Sequence, residues 1–258
     1  MRSIEFLGIP GSGKSTLRTG LVSRLEAEGV RGRAFDDALT DALRKGIGDR
    51  LDPLMKLAAG VAPSRLSGSF FFRSSVAFKA LAGFMEERPQ AVTAVLDAQE
   101  RRAEFEYRPD LIIEWYLHMV ARYEVIQSTL EASTLVIMDE GFSQRAVSVF
   151  GHRFGEDDHQ DLERYLAAVP APELLIRLIL DPRDAADRLQ GDDRLATIRL
   201  EGQGVEVHTR FLEDADRCVS RVAQVARSLG WEVIDVDGQV SSKTSLDAIT
   251  QMVVSSGP

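Results

Sequence analysis

Gly8-Ile9-Pro10-Gly11-Ser12-Gly13-Lys14-Ser15-Thr16 is the stretch that decides the fold. It fits the pattern G-x-x-x-x-G-K-[ST], in which glycines let successive backbone N–H groups turn inward around an anion. The apolar run over residues 4–9 predicts a strand, and residues 14–27 predict the helix that should follow it. The helix N-terminus adds partial positive charge at the same point. The sequence therefore predicts a phosphate-binding loop.

Each residue type in this loop has a chemical task. Lys14 is placed to meet the β- and γ-phosphates of a nucleoside triphosphate, and the Ser15 hydroxyl can ligate the Mg²⁺ that accompanies them. ATP and Mg²⁺ are therefore the expected cofactors. The residues expected to bind the nucleotide are Gly8, Gly11, Ser12, Gly13, Lys14, Ser15 and Thr16.

Length and composition restrict the class of protein. A chain of 258 residues with 44% hydrophobic residues can bury a sizeable core, and we expect one domain over residues 1–258. The formal charge of −9 and the lack of a basic stripe make polymeric nucleic acid an unexpected partner. The most apolar stretch, residues 70–85, is interrupted by Arg73 and Lys79, so no membrane partner is expected. The single cysteine, Cys218, and a first strand without a leader favour a cytoplasmic protein.

A second strand is predicted over residues 31–35, and it ends in Asp36-Asp37. Carboxylates at the C-terminal end of a strand in an open α/β sheet lie where ligands bind. Asp36 is therefore a candidate site residue. The alternative is that either aspartate caps the helix predicted over residues 38–45.

Residues 50–132 are predicted to be helical throughout, in about four segments divided at prolines. Such an insertion between strands two and three is longer than a crossover requires, so we expect it to form the acceptor side of the cleft. Arg73 follows three consecutive phenylalanines in this insertion.

The apolar run over residues 135–138 ends in Asp139-Glu140. This pattern predicts a buried parallel strand that delivers a carboxylate to the phosphate site, where Asp139 can hold Mg²⁺ directly or through water. Glu140 has three open roles, because it can polarise a water, hold an arginine or bind substrate. Arg145, in the next predicted helix, is near enough in sequence to point at the cleft.

A fourth strand is predicted over residues 174–180, and an arginine-rich segment follows it. The segment contains acids, Gly191 and the arginines Arg183, Arg188, Arg194 and Arg199. Arginines in a short, glycine-containing excursion favour a mobile lid, at about residues 183–202, that closes on phosphates. The alternative is a surface helix of balanced charge. A helix over residues 205–229, a fifth strand over 231–236 and a helix over 246–254 complete the pattern.

Five strands with a phosphate loop after the first, an acid after the third and an arginine lid after the fourth resemble the nucleoside and nucleotide kinases, most nearly the thymidylate kinases. The resemblance implies an α/β three-layer sandwich around a five-stranded parallel sheet in the order 2-3-1-4-5. Its best local match, Asp181-Pro182 through Arg188 and then Asp193-Arg194, is similar to the family's lid. It implies that Arg188 and Arg194 contact ATP and the transferring phosphoryl group. Arg73 resembles the acceptor-side arginine.

The chain departs from these kinases at the end of the third strand, where Asp139-Glu140 replaces Asp-Arg or Glu-Arg. The lost positive charge argues against a nucleoside monophosphate acceptor, unless Arg145 or Arg73 replaces it. A neutral hydroxyl acceptor needs a general base within hydrogen-bond reach. Asp36 matches in position the carboxylate that deoxynucleoside kinases use as base.

We therefore expect an ATP-dependent small-molecule kinase, in which Lys14, Asp36, Arg188 and Arg194 are catalytic. A hydroxyl acceptor on a nucleoside-like, nucleotide or sugar-containing molecule is favoured, with Asp36, Arg73, Glu140 and Arg145 on the substrate side. The alternative is an NTP-hydrolysing ATPase or switch in which Asp139-Glu140 is a Walker B pair and Glu140 orients the attacking water. By analogy with related folds, residues 111–130 are a candidate surface for a homodimer.

Overall fold

The computed structural model describes residues 1–46, 74–102, 109–151, 153–189, 205–239 and 242–255. In these ranges five strands form one sheet in the order β2-β3-β1-β4-β5, and every neighbouring pair is parallel. The predicted sheet order is therefore confirmed. The strands are β1 Arg2–Leu7, β2 Gly32–Ala34, β3 Leu135–Met138, β4 Leu174–Ile179 and β5 Val233–Asp237.

Helices connect the strands and cover the sheet, as the predicted α/β fold requires. Four of the described helices lie between β2 and β3, and the last three of them, at residues 75–87, 89–102 and 109–129, belong to the predicted helical insertion. The prediction of helix throughout residues 50–132 is wrong at residues 130–132, which belong to the turn that leads into β3, and residues 50–73 and 103–108 lie outside the described residues. No helix in the described ranges is long and apolar enough to cross a bilayer. The helices are α1 Lys14–Ala27, α2 Phe35–Gly46, α3 Ser75–Glu87, α4 Pro89–Arg102, α5 Pro109–Thr129, α6 Phe142–Phe150, α7 Asp157–Ala168, α8 Pro182–Leu189, α9 Val205–Ser228 and α10 Ser242–Ser255.

The central strand β1 separates two apolar cores. Ile4 and Phe6 face one core, which also contains buried leucines of α1 and the apolar face of α10. Leu7 faces the larger core on the opposite side, to which α2 to α9 contribute. Because successive side chains of a strand point to opposite faces, β1 must be apolar on both. This explains the continuous apolar run ahead of the phosphate loop.

Glu5 breaks this run in the middle of β1, although it is only 1% exposed. Its carboxylate accepts hydrogen bonds from the backbone N–H groups of Phe142, at 3.1 Å, and Ser143, at 2.8 Å. Burial raises the pKa of Glu5 above its ordinary value, and these hydrogen bonds oppose that shift. An acceptor at the N-terminus of α6 satisfies N–H groups that have no partner within the helix. Glu5 therefore fixes how the chain leaves β3 and enters α6.

Gly141 is the residue that lets Glu5 approach α6 so closely. A Cβ atom at this position would lie 2.3 Å from Cδ of Glu5, well inside van der Waals contact. Any larger residue at position 141 must therefore displace the buried carboxylate or the start of α6.

We expect Gly141→Ala to lower the free energy of unfolding by about 1–3 kcal/mol, as overpacking of a buried site does. Urea denaturation measures the change. Gly83→Ala in α3 is the matched control, because a Cβ atom there would meet no atom within 4 Å and alanine favours a helix over glycine. Equal stability of the two variants would contradict the close approach of Glu5 to residue 141.

Candidate active site

The predicted phosphate loop connects β1 to α1. Gly11 and Gly13 have φ values of 81° and 96°, in the left-handed region that favours glycine. The Ser12 N–H donates to the carbonyl of Ile9 at 3.2 Å, which closes a turn inside the loop. The ammonium of Lys14 donates to the carbonyls of Gly8, at 2.8 Å, and Ile9, at 3.0 Å. The loop's own carbonyl groups thus hold this cation against the loop.

Gln144 connects the loop to α6. Its side chain is buried, and its Oε1 accepts a hydrogen bond from the Gly8 N–H at 3.1 Å. The same helix is held at its N-terminus by Glu5 of β1. Glu5 thus connects β1 to the start of α6, and Gln144 connects α6 to Gly8, the first residue of the loop.

Ser15 and Asp139, which were predicted to be metal ligands, lie together in the structure. The Ser15 hydroxyl donates to Oδ2 of Asp139 at 2.9 Å, and Nη1 of Arg18 donates to Oδ1 of the same carboxylate at 2.9 Å. A hydroxyl and a carboxylate oxygen are hard donors of the kind that Mg²⁺ prefers. These two residues therefore fit the expected metal, through Ser15 Oγ and Asp139 Oδ2.

Asp36 lies in the first turn of α2, because β2 ends at Ala34 and the helix begins at Phe35. The prediction that Asp36 ends a strand is wrong in this detail, since acidic residues stabilise a helix N-terminus and Phe35 packs into the core. Its carboxylate accepts a hydrogen bond from Arg122 of α5. The Arg122 guanidinium also lies 4.8 Å from the centre of the Phe35 ring. The side chain of Asp36 is thus directed towards α5.

Arg122 is largely buried, and burial lowers its pKa to about 10, with a further contribution from repulsion by Arg145. The group remains a cation at neutral pH. The negative charge of Asp139 raises the pKa of Arg122, whereas the positive charge of Arg145 lowers it. Arg122 therefore lies within electrostatic reach of both residues. In the sheet, Ala34 of β2 pairs with Ile137 of β3, so Asp36 and Asp139 follow neighbouring parallel strands at the same edge of the sheet.

Glu140 and Arg145 form an ion pair at 3.2 Å. Of the three roles left open for Glu140, holding an arginine is the one that the structure shows. The Arg145 guanidinium lies 5.8 Å from the centre of the Trp115 ring, and its side chain is 15% exposed. Arg145 therefore lies between Glu140, which follows β3, and Trp115 of α5.

Arg188 lies near the C-terminal end of α8 and donates to the carbonyl of Gly238 at 3.3 Å, in the turn that follows β5. Gln239 of the same turn donates to Asp184 of α8 at 2.6 Å. The start of the predicted lid is thus attached to the exit of β5. Arg73, Arg194 and Arg199 lie outside the residues that the structure describes.

Glu5, Arg18, Gln144 and Arg122 belong to none of the sequence motifs described above. Arg18 could have been identified as a site residue from the sequence, because it lies three residues after Ser15 and therefore on the same face of α1. Arg122 carries no local signal, since its partner is 86 residues away. Gln144 is likewise recognisable only once α6 is seen beside the loop.

Neither a protein-family model nor a curated protein sequence matches the chain. Three solved structures of deoxyadenosine kinase from M. mycoides are similar to it. The structure with the products dCMP and dCDP has 13% identity and a TM-score of 0.48, and the alignment covers 98% of each chain. The structures with dCTP and with dATP have 12% identity and TM-scores of 0.46, and the alignments cover 98% of this chain and 99% and 100% of theirs. Similarity at this level carries no argument about what this chain binds.

We expect Gln144→Leu to lower the free energy of unfolding by about 1–3 kcal/mol, because it leaves the Gly8 N–H without its acceptor. Urea denaturation measures this loss, and hydrogen exchange should show faster exchange of the loop amides over residues 8–13. Gln224→Leu is the control, because Gln224 lies on the exposed face of α9. Unchanged exchange in Gln144→Leu would show that α6 does not brace the loop.

Proposed function

We propose that the protein is a Mg²⁺-ATP-dependent kinase that transfers the γ-phosphoryl group to a hydroxyl of a small, uncharged acceptor, nucleoside-like or sugar-containing. The observation that carries the proposal is that Asp36, paired with Arg122, and Asp139, paired with Ser15, follow neighbouring parallel strands at the same edge of the sheet. This arrangement supports Asp36 as a candidate base close to the residues that would hold the metal and the phosphates. A hydroxyl acceptor requires such a base.

The charges of the site support an uncharged acceptor. Three arginines approach the ends of β2 and β3, and each is paired with a carboxylate: Arg18 with Asp139, Arg122 with Asp36, and Arg145 with Glu140. A phosphate monoester acceptor would need positive charge beyond these balanced pairs. The described residues therefore favour a hydroxyl over a phosphate as the group that receives the phosphoryl.

The proposed division of roles follows from this geometry. When bound, Mg²⁺ would neutralise charge on the β- and γ-phosphates, and Ser15 and Asp139 would hold it. Lys14 would leave its two carbonyl partners to bind the phosphates. Asp36 would accept the proton of the acceptor hydroxyl, and Arg122 would orient its carboxylate. Catalysis in this class depends mainly on positioning and on electrostatic stabilisation.

The competing function is NTP hydrolysis with Asp139-Glu140 as a Walker B pair. The consecutive acids favour it, but the carboxylate of Glu140 forms an ion pair with the guanidinium of Arg145 at 3.2 Å. A carboxylate engaged in this way is less available to orient a water. The observed ion pair therefore favours the kinase.

ADP release from Mg²⁺-ATP tests the two functions directly. The assay uses a panel of nucleosides, nucleoside monophosphates, sugars and alcohols, with a control that contains no acceptor. Release that depends on a nucleoside or sugar supports the kinase and identifies the substrate class. Rapid release without acceptor, lost in Glu140→Gln, would instead establish the ATPase.

We expect Asp36→Asn to abolish nearly all transfer to the acceptor hydroxyl, because the base is removed while the side chain keeps its size. Turnover with the acceptor found in the panel measures the effect. Asp41→Asn is a control on the same helix, since Asp41 pairs with Arg33, and it should retain turnover. Full turnover of Asp36→Asn would point to a phosphate acceptor.

Arg188→Ala should lower turnover by about 2–4 kcal/mol of transition-state stabilisation and weaken ATP binding much less. The reason is that a lid arginine acts chiefly on charge that develops during transfer. Steady-state kinetics and titration with Mg²⁺-ATP separate the two effects. Arg217→Ala is the control, because Arg217 pairs with Asp214 on α9. Undiminished turnover of Arg188→Ala would remove this residue from the mechanism.

A further inference from the structure

One helix presents both a hydroxyl and a cation to the carboxylate of Asp139. Ser15 and Arg18 are three residues apart on α1, and they therefore share a face. Oδ2 of Asp139 accepts the Ser15 hydroxyl and Oδ1 accepts Nη1 of Arg18, each at 2.9 Å. The residue that would ligate Mg²⁺ thus already has a protein cation on its second oxygen.

This ion pair is partly buried, with side-chain exposures of 24% for Arg18 and 14% for Asp139. Salt screens such a pair less than it screens exposed charges. A divalent cation that arrives alone meets a carboxylate whose charge Arg18 balances, and the guanidinium repels it. A cation that arrives with a nucleotide brings phosphate oxygens, which supply both negative charge and further ligands.

We propose that Arg18 makes metal binding at Ser15 and Asp139 depend on the nucleotide. Arg18 keeps Oδ1 occupied and leaves Oδ2, beside Ser15, as the oxygen for the metal. One carboxylate oxygen is enough when phosphates and waters complete the octahedral shell of Mg²⁺. The inference rests on the proposed function, because it concerns the same metal site.

A purely structural salt bridge between α1 and the end of β3 is the competing interpretation. A pair of this kind stabilises a protein only modestly, and its removal should leave the affinity for metal unchanged. Arg24 provides a matched control, because it lies on the same helix and pairs with Asp247 of α10. Its removal disrupts an ion pair of α1 without touching Asp139.

The experiment measures Mn²⁺ binding to the full chain without nucleotide, from the electron paramagnetic resonance signal of free Mn²⁺. We expect Arg18→Gln to bind Mn²⁺ about tenfold more tightly than the unsubstituted protein, because a repelling charge is removed. Arg18→Lys, which keeps the charge, and Arg24→Gln should bind as weakly as the unsubstituted protein. The added variant Asp139→Asn should cancel the gain of Arg18→Gln.

Equal Mn²⁺ affinity of Arg18→Gln and the unsubstituted protein would overturn the inference, as would a gain that survives Asp139→Asn. A second measurement compares the same two proteins with ADP present. The gain in Mn²⁺ affinity that ADP brings should be smaller in Arg18→Gln than in the unsubstituted protein, and an equal gain in both would also overturn the inference. If the Mn²⁺ results hold and no acceptor is phosphorylated, the proposed function fails and the metal inference stands.

Discussion

The buried carboxylate of Glu5, hydrogen-bonded to the N–H groups of Phe142 and Ser143, is the contact on which the rest of the site depends. Glu5 lies on β1, the strand that leads into the phosphate loop, and α6 carries Gln144 and Arg145. Gln144 returns to the loop at Gly8. The relative position of the loop and the end of β3 is therefore set by protein hydrogen bonds in a buried region, where leaving any one unpaired is costly. Such preorganisation would serve the proposed phosphoryl transfer.

The parts of the structure that the sequence predicted are those with local patterns. The phosphate loop and the strand just before Asp139 follow from residue types at short spacing, whereas the sheet order came from the resemblance to the nucleoside and nucleotide kinases. Glu5 and Arg122 could not be found in this way, because their partners lie 137 and 86 residues away. The strand end assigned to Asp36 was wrong for a related reason. A short edge strand of three residues leaves little periodicity to separate it from the helix that follows.

The ion pairs of the site have an electrostatic consequence for its arginines. A partly buried guanidinium is costly without a partner, and Arg122 and Arg145 also repel one another. Asp36 and Glu140 offset both costs, so each of these two arginines is balanced by a carboxylate. In the structure Glu140 is the partner of Arg145.

The contacts of Lys14 and Arg18 suggest how the proposed nucleotide binding would proceed. Each cation already has protein acceptors: two loop carbonyls for Lys14 and the Asp139 carboxylate for Arg18. A phosphate group that reaches the loop therefore exchanges one set of hydrogen bonds for another, and no bare ammonium has to be desolvated first. Lys14 must give up neutral carbonyls, which bind a cation less strongly than phosphate oxygens do. Arg18 holds a full negative charge and gains less by moving. The two cations are thus expected to behave differently. Lys14 should exchange its carbonyl partners for the phosphates, whereas Arg18 should remain paired with Asp139.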